Sequence, residues 1–212
     1  MNLSLLSTLP AASLSVFAAL AGLSVLTVAV AIFKLLQFRR MGVGRHKAAG
    51  AILDDWLGGR PDEAMRAAAA GGFVQARVLG AAMTGMRARP DDPLHAEELA
   101  RQAALLELTQ MGSRMRLLEA VVQMAPMLGL LGTVIGMIDA FGSLAAAQAA
   151  TDPQLLAAGI WTALTTTAAG LAIALVAYFA AAWLEGRIED ERQTIEWVIS
   201  AAIHGRVGPV QG

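Results

Sequence analysis

The chain has 212 residues, of which 56% are hydrophobic and only 16% charged, and its mean hydropathy is +0.56. This composition excludes an ordinary soluble domain and predicts an integral membrane protein. Cysteine is absent, which excludes a disulfide framework and a thiolate metal site. The net charge of -1 is uninformative by itself, but the distribution of the basic residues argues against nucleic-acid binding.

The basic residues are confined to two parts of the chain. Residues 1–33 and 117–186 contain no Lys or Arg, and all sixteen lie in 34–116 or 187–206. Such a distribution is typical of membrane topology rather than of a basic binding patch. Because Lys and Arg favour the cytoplasmic side, we expect the N-terminus outside and the C-terminus inside.

The first apolar stretch predicts a membrane span. Residues 14–33 are uncharged, about one bilayer thickness of helix, and Lys34 follows at once. No positive charge precedes this stretch, so we expect a retained span rather than a cleaved signal peptide.

Residues 37–116 form a long polar segment with a helical pattern. Pro61, followed by two acidic residues, indicates a helix start, and this helix is expected to run to about residue 88. Asp92 and Pro93 indicate a cap and first helical position of another helix, which we expect to run unbroken into the second span.

The second span is rich in glycine. Between Glu119 and Asp139 there is no charge, and Gly129, Gly132 and Gly136 recur at helical spacing. Small residues along one side of a helix allow a neighbouring backbone to approach closely. This pattern predicts tight packing against other spans.

The third span follows a short loop that turns at 149–153, and it carries a cluster of hydroxyl groups. Thr162, Thr165, Thr166 and Thr167 lie in an uncharged stretch that an amphipathic helix continues. One interpretation is that each threonine bonds a carbonyl of its own helix and only packs. The other is a polar lane through the membrane that includes Thr133. Hydroxyls do not titrate near neutral pH, so a proton lane needs a carboxylate from elsewhere.

Asp139 is the one ionisable residue well inside an apolar segment. It lies near the outer end of the second span, where it is either a hydrated interface residue or an accessory carboxylate. Signatures of phosphate-binding loops, zinc proteases and catalytic triads are missing, so we expect no enzyme, no metal and no cofactor.

The predicted fold is an all-α integral membrane protein with three transmembrane helices and long cytoplasmic helical extensions. The predicted segments in chain order are a short periplasmic N-terminus (1–13), transmembrane helix 1 (14–36), a cytoplasmic helical segment (37–116), transmembrane helix 2 (117–145), a periplasmic loop (146–154), transmembrane helix 3 (155–184) and a cytoplasmic C-terminal helix (185–212).

Two linked motifs carry a family resemblance. The runs APMLGLLGTVIGM at 125–137 and GIWTALTTTAAGL at 159–171 resemble the ExbB/TolQ/MotA proton-channel family, and ExbB most closely. The resemblance implies a homo-oligomeric ring in the bacterial inner membrane, typically a pentamer, around a single-span partner of the ExbD/TolR type that supplies an intramembrane Asp. It also implies a TonB- or TolA-like periplasmic protein that receives the work.

The resemblance further assigns roles to residues. The family's pore threonines fall on Thr133 and Thr167, and we add Thr162 and Thr166 as candidates for the same proton pathway. Its packing and kink positions fall on Pro126, Gly129, Gly132 and Gly170, beside which Gly136 belongs to the same glycine row. At Thr162 this chain departs from the Glu usual in ExbB and TolQ, which moves the proton-carrying load to the partner. Energising outer-membrane import, a TolQ-like role in envelope maintenance and a non-conducting scaffold all remain open.

Overall fold

A computed structural model describes residues 11–146 and 153–205. Within these residues all regular secondary structure is helical, which confirms the predicted class. The helices are α1 (Ala11–Met41), α2 (His46–Leu57), α3 (Pro61–Gly71), α4 (Val74–Ala88), α5 (Pro93–Gly112), α6 (Met115–Ala146) and α7 (Pro153–His204).

Local chemistry explains where the polar helices begin. Pro61 and Pro93 each occupy an early position of their helix, where the missing N–H costs nothing. The Asp92 side chain accepts a hydrogen bond of 3.1 Å from the backbone N–H of His95. Both predicted helix starts are therefore confirmed.

Two predicted helices are interrupted. The one expected over 61–88 is wrong, because Gly72 adopts a left-handed conformation (φ +61°) and separates α3 from α4. The unbroken helix expected from Pro93 into the second span is also wrong. It stops at Gly112, and Arg114 takes φ +64° before α6 begins.

Three of the helical segments are long and apolar enough to cross a membrane, and they lie within Leu14–Leu57, Pro93–Ala145 and Leu156–His204. This confirms the prediction of three spans. The expected loop turn at 149–153 falls mostly outside the described residues, as does most of the expected periplasmic N-terminus.

The chain divides into two compact units. The apolar unit comprises Met1–Ile32 and Arg114–Ala182, and the polar unit comprises Phe33–Ser113 and Trp183–Gly212. In the apolar unit, Val121 and Ala125 of α6 pack with Ala174 and Ala177 of α7, and Leu23 of α1 packs against this cluster. The core of this unit is therefore made largely of small side chains.

The polar unit has a core of its own. Helix α4 buries Val74, Val78, Leu79 and Met83 completely. A Cβ on Gly85 would lie 2.5 Å from the Cα of Ala96, so the backbones of α4 and α5 are in direct contact there. The end of α7 joins this core, because Trp56 Nε1 donates a hydrogen bond of 2.9 Å to the Ala202 carbonyl.

Candidate functional site

The candidate site is the contact between α6 and α7 in the apolar unit, which we call the seam. Glycine and alanine alternate across it. A Cβ on Gly136 would lie 2.9 Å from the Ala163 Cβ, and one on Gly159 would lie 2.6 Å from the Ala140 Cβ. Residue numbers rise on α6 as they fall on α7, so the two helices are antiparallel.

The two helices of the seam approach each other most closely at the glycines. A Cβ on Gly129 would lie 2.9 Å from both the Thr166 carbonyl oxygen and the Thr167 Cα, and one on Gly170 would collide with the Ala125 carbonyl oxygen. At Gly132 an added Cβ would overlap the Thr166 side chain. Three of the predicted packing glycines thus lie where any side chain would push the helices apart.

Pro126 lies inside α6 without ending it. A proline has no backbone N–H, so the carbonyl of Val122 receives no hydrogen bond from that position. Neighbouring Ala125 is fully buried against α7. Helix α6 therefore has one backbone hydrogen bond fewer next to the seam.

The threonines divide into two groups by hydrogen bonding. Thr133, Thr162 and Thr165 donate within their own helices, to the carbonyls of residues 130, 158 and 161 at 2.6, 3.0 and 2.8 Å. Thr167 instead donates across the seam to the Gly129 carbonyl at 2.9 Å. Thr166 is 1% exposed and bonds both that carbonyl, at 3.2 Å, and its own Ala163 carbonyl, at 2.6 Å.

This bonding determines what the hydroxyls can do. Each described threonine of the seam commits its proton to a carbonyl and keeps oxygen lone pairs with which it can accept. A row of fixed acceptors can hold water, a protonated carboxyl or a cation, but it cannot release a proton of its own near neutral pH. The geometry therefore suits a passage that solvates a proton carrier supplied from outside these two helices.

Thr133 and Thr167 lie on one flank of the seam. Thr133 follows the seam residue Gly129 by four positions, and Thr167 follows the seam residue Ala163 by four. Four residues of an α-helix turn by about 400°, so each threonine lies about 40° around its helix from the seam. Because the helices are antiparallel, equal turns in sequence displace both side chains toward the same flank. Both side chains are partly exposed in the isolated chain.

Asp139 and Thr162 lie on the opposite flank. Asp139 follows Gly136 by three positions and Thr162 follows Gly159 by three, about 60° short of a full turn in each case. Oxygen Oδ2 of Asp139 is buried and has no hydrogen-bond partner among residues 11–146 and 153–205. The seam thus separates a flank with two hydroxyls from one with a hydroxyl and a carboxylate.

Sequence reasoning missed the acceptor at the centre of this arrangement. It grouped the threonines with small residues but did not identify the Gly129 carbonyl, which receives hydroxyls from two consecutive residues of α7. The glycine row was the available signal, since a side chain at 129 would hide that carbonyl from α7.

The MotA/TolQ/ExbB proton channel family matches residues 67–197, more than half of the chain. A biopolymer transport protein ExbB homolog of Methanothermobacter thermautotrophicus is 36% identical over 102 residues, which are 48% of this chain and 36% of that protein. Biopolymer transport protein exbB1 of Vibrio cholerae is 39% identical over 93 residues, 42% of this chain and 41% of that protein.

A longer alignment is weaker in identity. The ExbB-like 3 biopolymer transport protein of Synechocystis is 26% identical over 157 residues, 74% of this chain and 73% of that protein. The chain matches less than half the length of the first two relatives. The family match covers all of α6 and most of α7. The chain is a membrane protein with three apolar helices, and it belongs to the MotA/TolQ/ExbB proton channel family.

Proposed function

We propose that this chain is the channel-forming subunit of an ion-driven, ExbB-like energy transducer. The observation that carries the proposal is the pair of α7 hydroxyls on the Gly129 carbonyl, at 2.9 and 3.2 Å, within the region that matches the family. This cross-seam contact fixes hydroxyl acceptors along two helices that are otherwise apolar. The chain does the work of a channel subunit and not of an enzyme.

The proposed assembly is a ring in the bacterial inner membrane. Large apolar side chains of the spans, among them Leu130, Ile138 and Leu164, are more than 60% exposed in the single chain and need lipid or other copies to cover them. A pentamer around one or two ExbD/TolR-like helices would place Thr133 and Thr167 against the partner's Asp. The N-terminus would then be periplasmic, and the polar unit would be cytoplasmic.

Two proposed residue sets have different tasks. Thr133 and Thr167 face the partner and solvate its carboxyl as it gains and loses a proton. Thr162 and Thr166 hold water on and near the other flank, with Asp139 as the accessory carboxylate. The packing residues of the seam keep the two helices at a fixed separation while the partner moves.

Work is then passed to a periplasmic protein. The relatives' names refer to biopolymer transport, and this favours a TonB-like receiver that energises import through the outer membrane. A TolQ-like role in the Tol-Pal system uses the same ring and the same proton step. A scaffold that conducts nothing is the remaining alternative, and it requires no function for the cross-seam hydroxyls.

The experiment replaces Thr133 and Thr167 together by Val in the complex and measures both proton flux into vesicles and oligomer size. We expect loss of flux with an unchanged oligomer, because valine keeps the shape and removes the hydroxyls. Thr165→Val is the matched control, since Thr165 is exposed and bonds only its own helix. Full flux in the double variant would exclude Thr133 and Thr167 from the pathway, whereas absence of flux in the unaltered complex would favour the scaffold.

A second double variant tests the other flank. In Thr162→Val with Thr166→Val we expect reduced flux, because the hydroxyls that hold water beside the seam are removed. Unaltered flux would exclude this flank from the pathway and would leave Thr133 and Thr167 as the whole of it.

A further inference from the structure

The polar unit contains a buried carboxylate that the proposed channel does not use. Glu191, on the part of α7 beyond the uncharged stretch, is 1% exposed. Its Oε2 accepts a hydrogen bond of 3.0 Å from the backbone N–H of Gly44, in the turn between α1 and α2. Its Oε1 is buried and has no hydrogen-bond partner in the described part of the chain.

A buried glutamine from another helix lies beside this carboxylate. Gln75 of α4 is fully buried, and its Nε2 lies 3.1 Å from Nδ1 of His46 on α2. The Gln75 side chain also favours the ionised form of Glu191. Its Oε1 is a second buried oxygen without a partner in the described residues. Two buried acceptors in one cluster therefore lack a donor.

The charged groups around Glu191 come from three places. His46 on α2 and Arg187 on α7 both act on its charge, and both are exposed to solvent. Arg45, in the turn, is directed over the Phe73 ring at 6.0 Å. No ion pair to Glu191 is present among residues 11–146 and 153–205, so the Gly44 N–H is the main group that compensates the carboxylate.

A proton supplies what the cluster lacks. An ionised carboxylate only accepts hydrogen bonds, whereas a protonated one also donates. Burying the charge without an ion pair disfavours the ionised form, and burial accordingly raises the pKa of Glu191. The Gly44 N–H, His46, Arg187 and Gln75 oppose that shift in part.

We propose that Glu191 is a proton-binding site of the polar unit, and that Gly44 in the α1–α2 turn, His46 on α2 and Gln75 on α4 tune its affinity for the proton. Its ligand is a proton from the solution that bathes the polar unit. The site is separate from the proposed pathway along the seam, and its test does not depend on proton flux.

The sign of the pH effect follows from the direction of the pKa shift. A carboxyl group whose pKa is higher in the folded chain than in the unfolded chain stabilises the fold at pH values below the unfolded-state pKa. This stabilisation is lost as the pH rises through the folded-state pKa. The polar unit should therefore lose stability as pH rises above the ordinary range of Glu. Glu191→Gln, which is neutral at every pH, should remove this dependence.

The direct test follows protonated carboxyls by infrared spectroscopy during a pH titration of the full chain in detergent. Glu185→Gln is the matched control, because Glu185 lies on the same helix and is exposed. We expect the wild type and Glu185→Gln to keep a protonated carboxyl signal above the ordinary range of Glu, and Glu191→Gln to lose it. An identical signal in Glu191→Gln would overturn the proposal.

A second variant keeps the test decisive if Glu191→Gln does not fold. Gln75→Leu removes an amide that stabilises the ionised carboxylate, so the titration should shift to higher pH. An unshifted titration in Gln75→Leu would also overturn the proposal, since it would show that the amide does not act on the site.

Discussion

A methyl group on Gly129 should separate the two helices of the seam. In Gly129→Ala the new Cβ would lie 2.9 Å from the Thr166 carbonyl oxygen and from the Thr167 Cα. Both are backbone atoms, which cannot rotate away as a side chain can. Relief therefore requires the helices to move apart, which also lengthens the hydrogen bond from Thr167.

The size of the effect can be worked from a matched variant on the same helix. An added Cβ on Gly142 meets nothing within 4 Å, so Gly142→Ala gains the helix preference of alanine and suffers no collision. That preference is about 1 kcal/mol and is common to both variants. Overpacking typically costs about 1–3 kcal/mol. We therefore expect Gly129→Ala to be less stable than Gly142→Ala by about 1–3 kcal/mol.

The assay is equilibrium unfolding in mixed micelles of increasing denaturing detergent, followed by circular dichroism. Gly129→Ala should unfold at a lower fraction of denaturing detergent than Gly142→Ala. Equal midpoints for the two variants would refute the close approach at Gly129, and with it the fixed hydroxyl contact on which the site depends.

Two further predictions concern the polar unit. Arg77→Met should lower the stability of this unit by about 1 kcal/mol or less in thermal unfolding. Arg77 makes two hydrogen bonds to Glu107, of 2.5 and 2.6 Å, but it is partly exposed, so solvent weakens the ion pair. An unchanged unfolding midpoint would mean that the ion pair contributes nothing. Gly42→Ala should cost more than Gly59→Ala, because both have positive φ (+66° and +78°) but only at Gly42 would the Cβ meet another residue, 2.6 Å from the Phe73 Cβ. Equal losses in the two glycine variants would leave only the backbone strain of about 1–2 kcal/mol.

Local signals predicted much of the fold. The uncharged stretches predicted three spans, and Asp92 with Pro93 predicted a helix start that the side-chain hydrogen bond explains. The interruption near Arg114 was not predictable in the same way. Its positive φ belongs to a residue with no strong preference for that conformation, in a stretch with one glycine.

The buried carboxylate of Glu191 was not predicted because the C-terminal part of α7 is rich in charged residues, a pattern typical of a solvent-exposed helix. A signal was present, since Glu191 is in phase with Leu184, Ile195, Val198 and Ala202, which are all buried. Helical period alone could therefore have placed it on the inner face. Its partners at Gly44 and Gln75 could not have been found, because they depend on how distant helices pack.

The contact between Thr167 and Gly129 was unpredictable for the same reason. The sequence indicates a small-residue face on each helix, but the register of the two faces decides which carbonyl meets which hydroxyl. A shift of α7 by one turn would keep the pattern of small residues and lose the contact.

The most direct test of the proposed transducer is native mass spectrometry of the protein extracted gently from its own membranes, which reads subunit number and bound chains together. The proposal predicts a ring of about five copies, as the family resemblance implies, that carries a small single-span protein with an intramembrane Asp. A bare oligomer, or one bound to unrelated proteins, would contradict the proposal and favour the non-conducting scaffold.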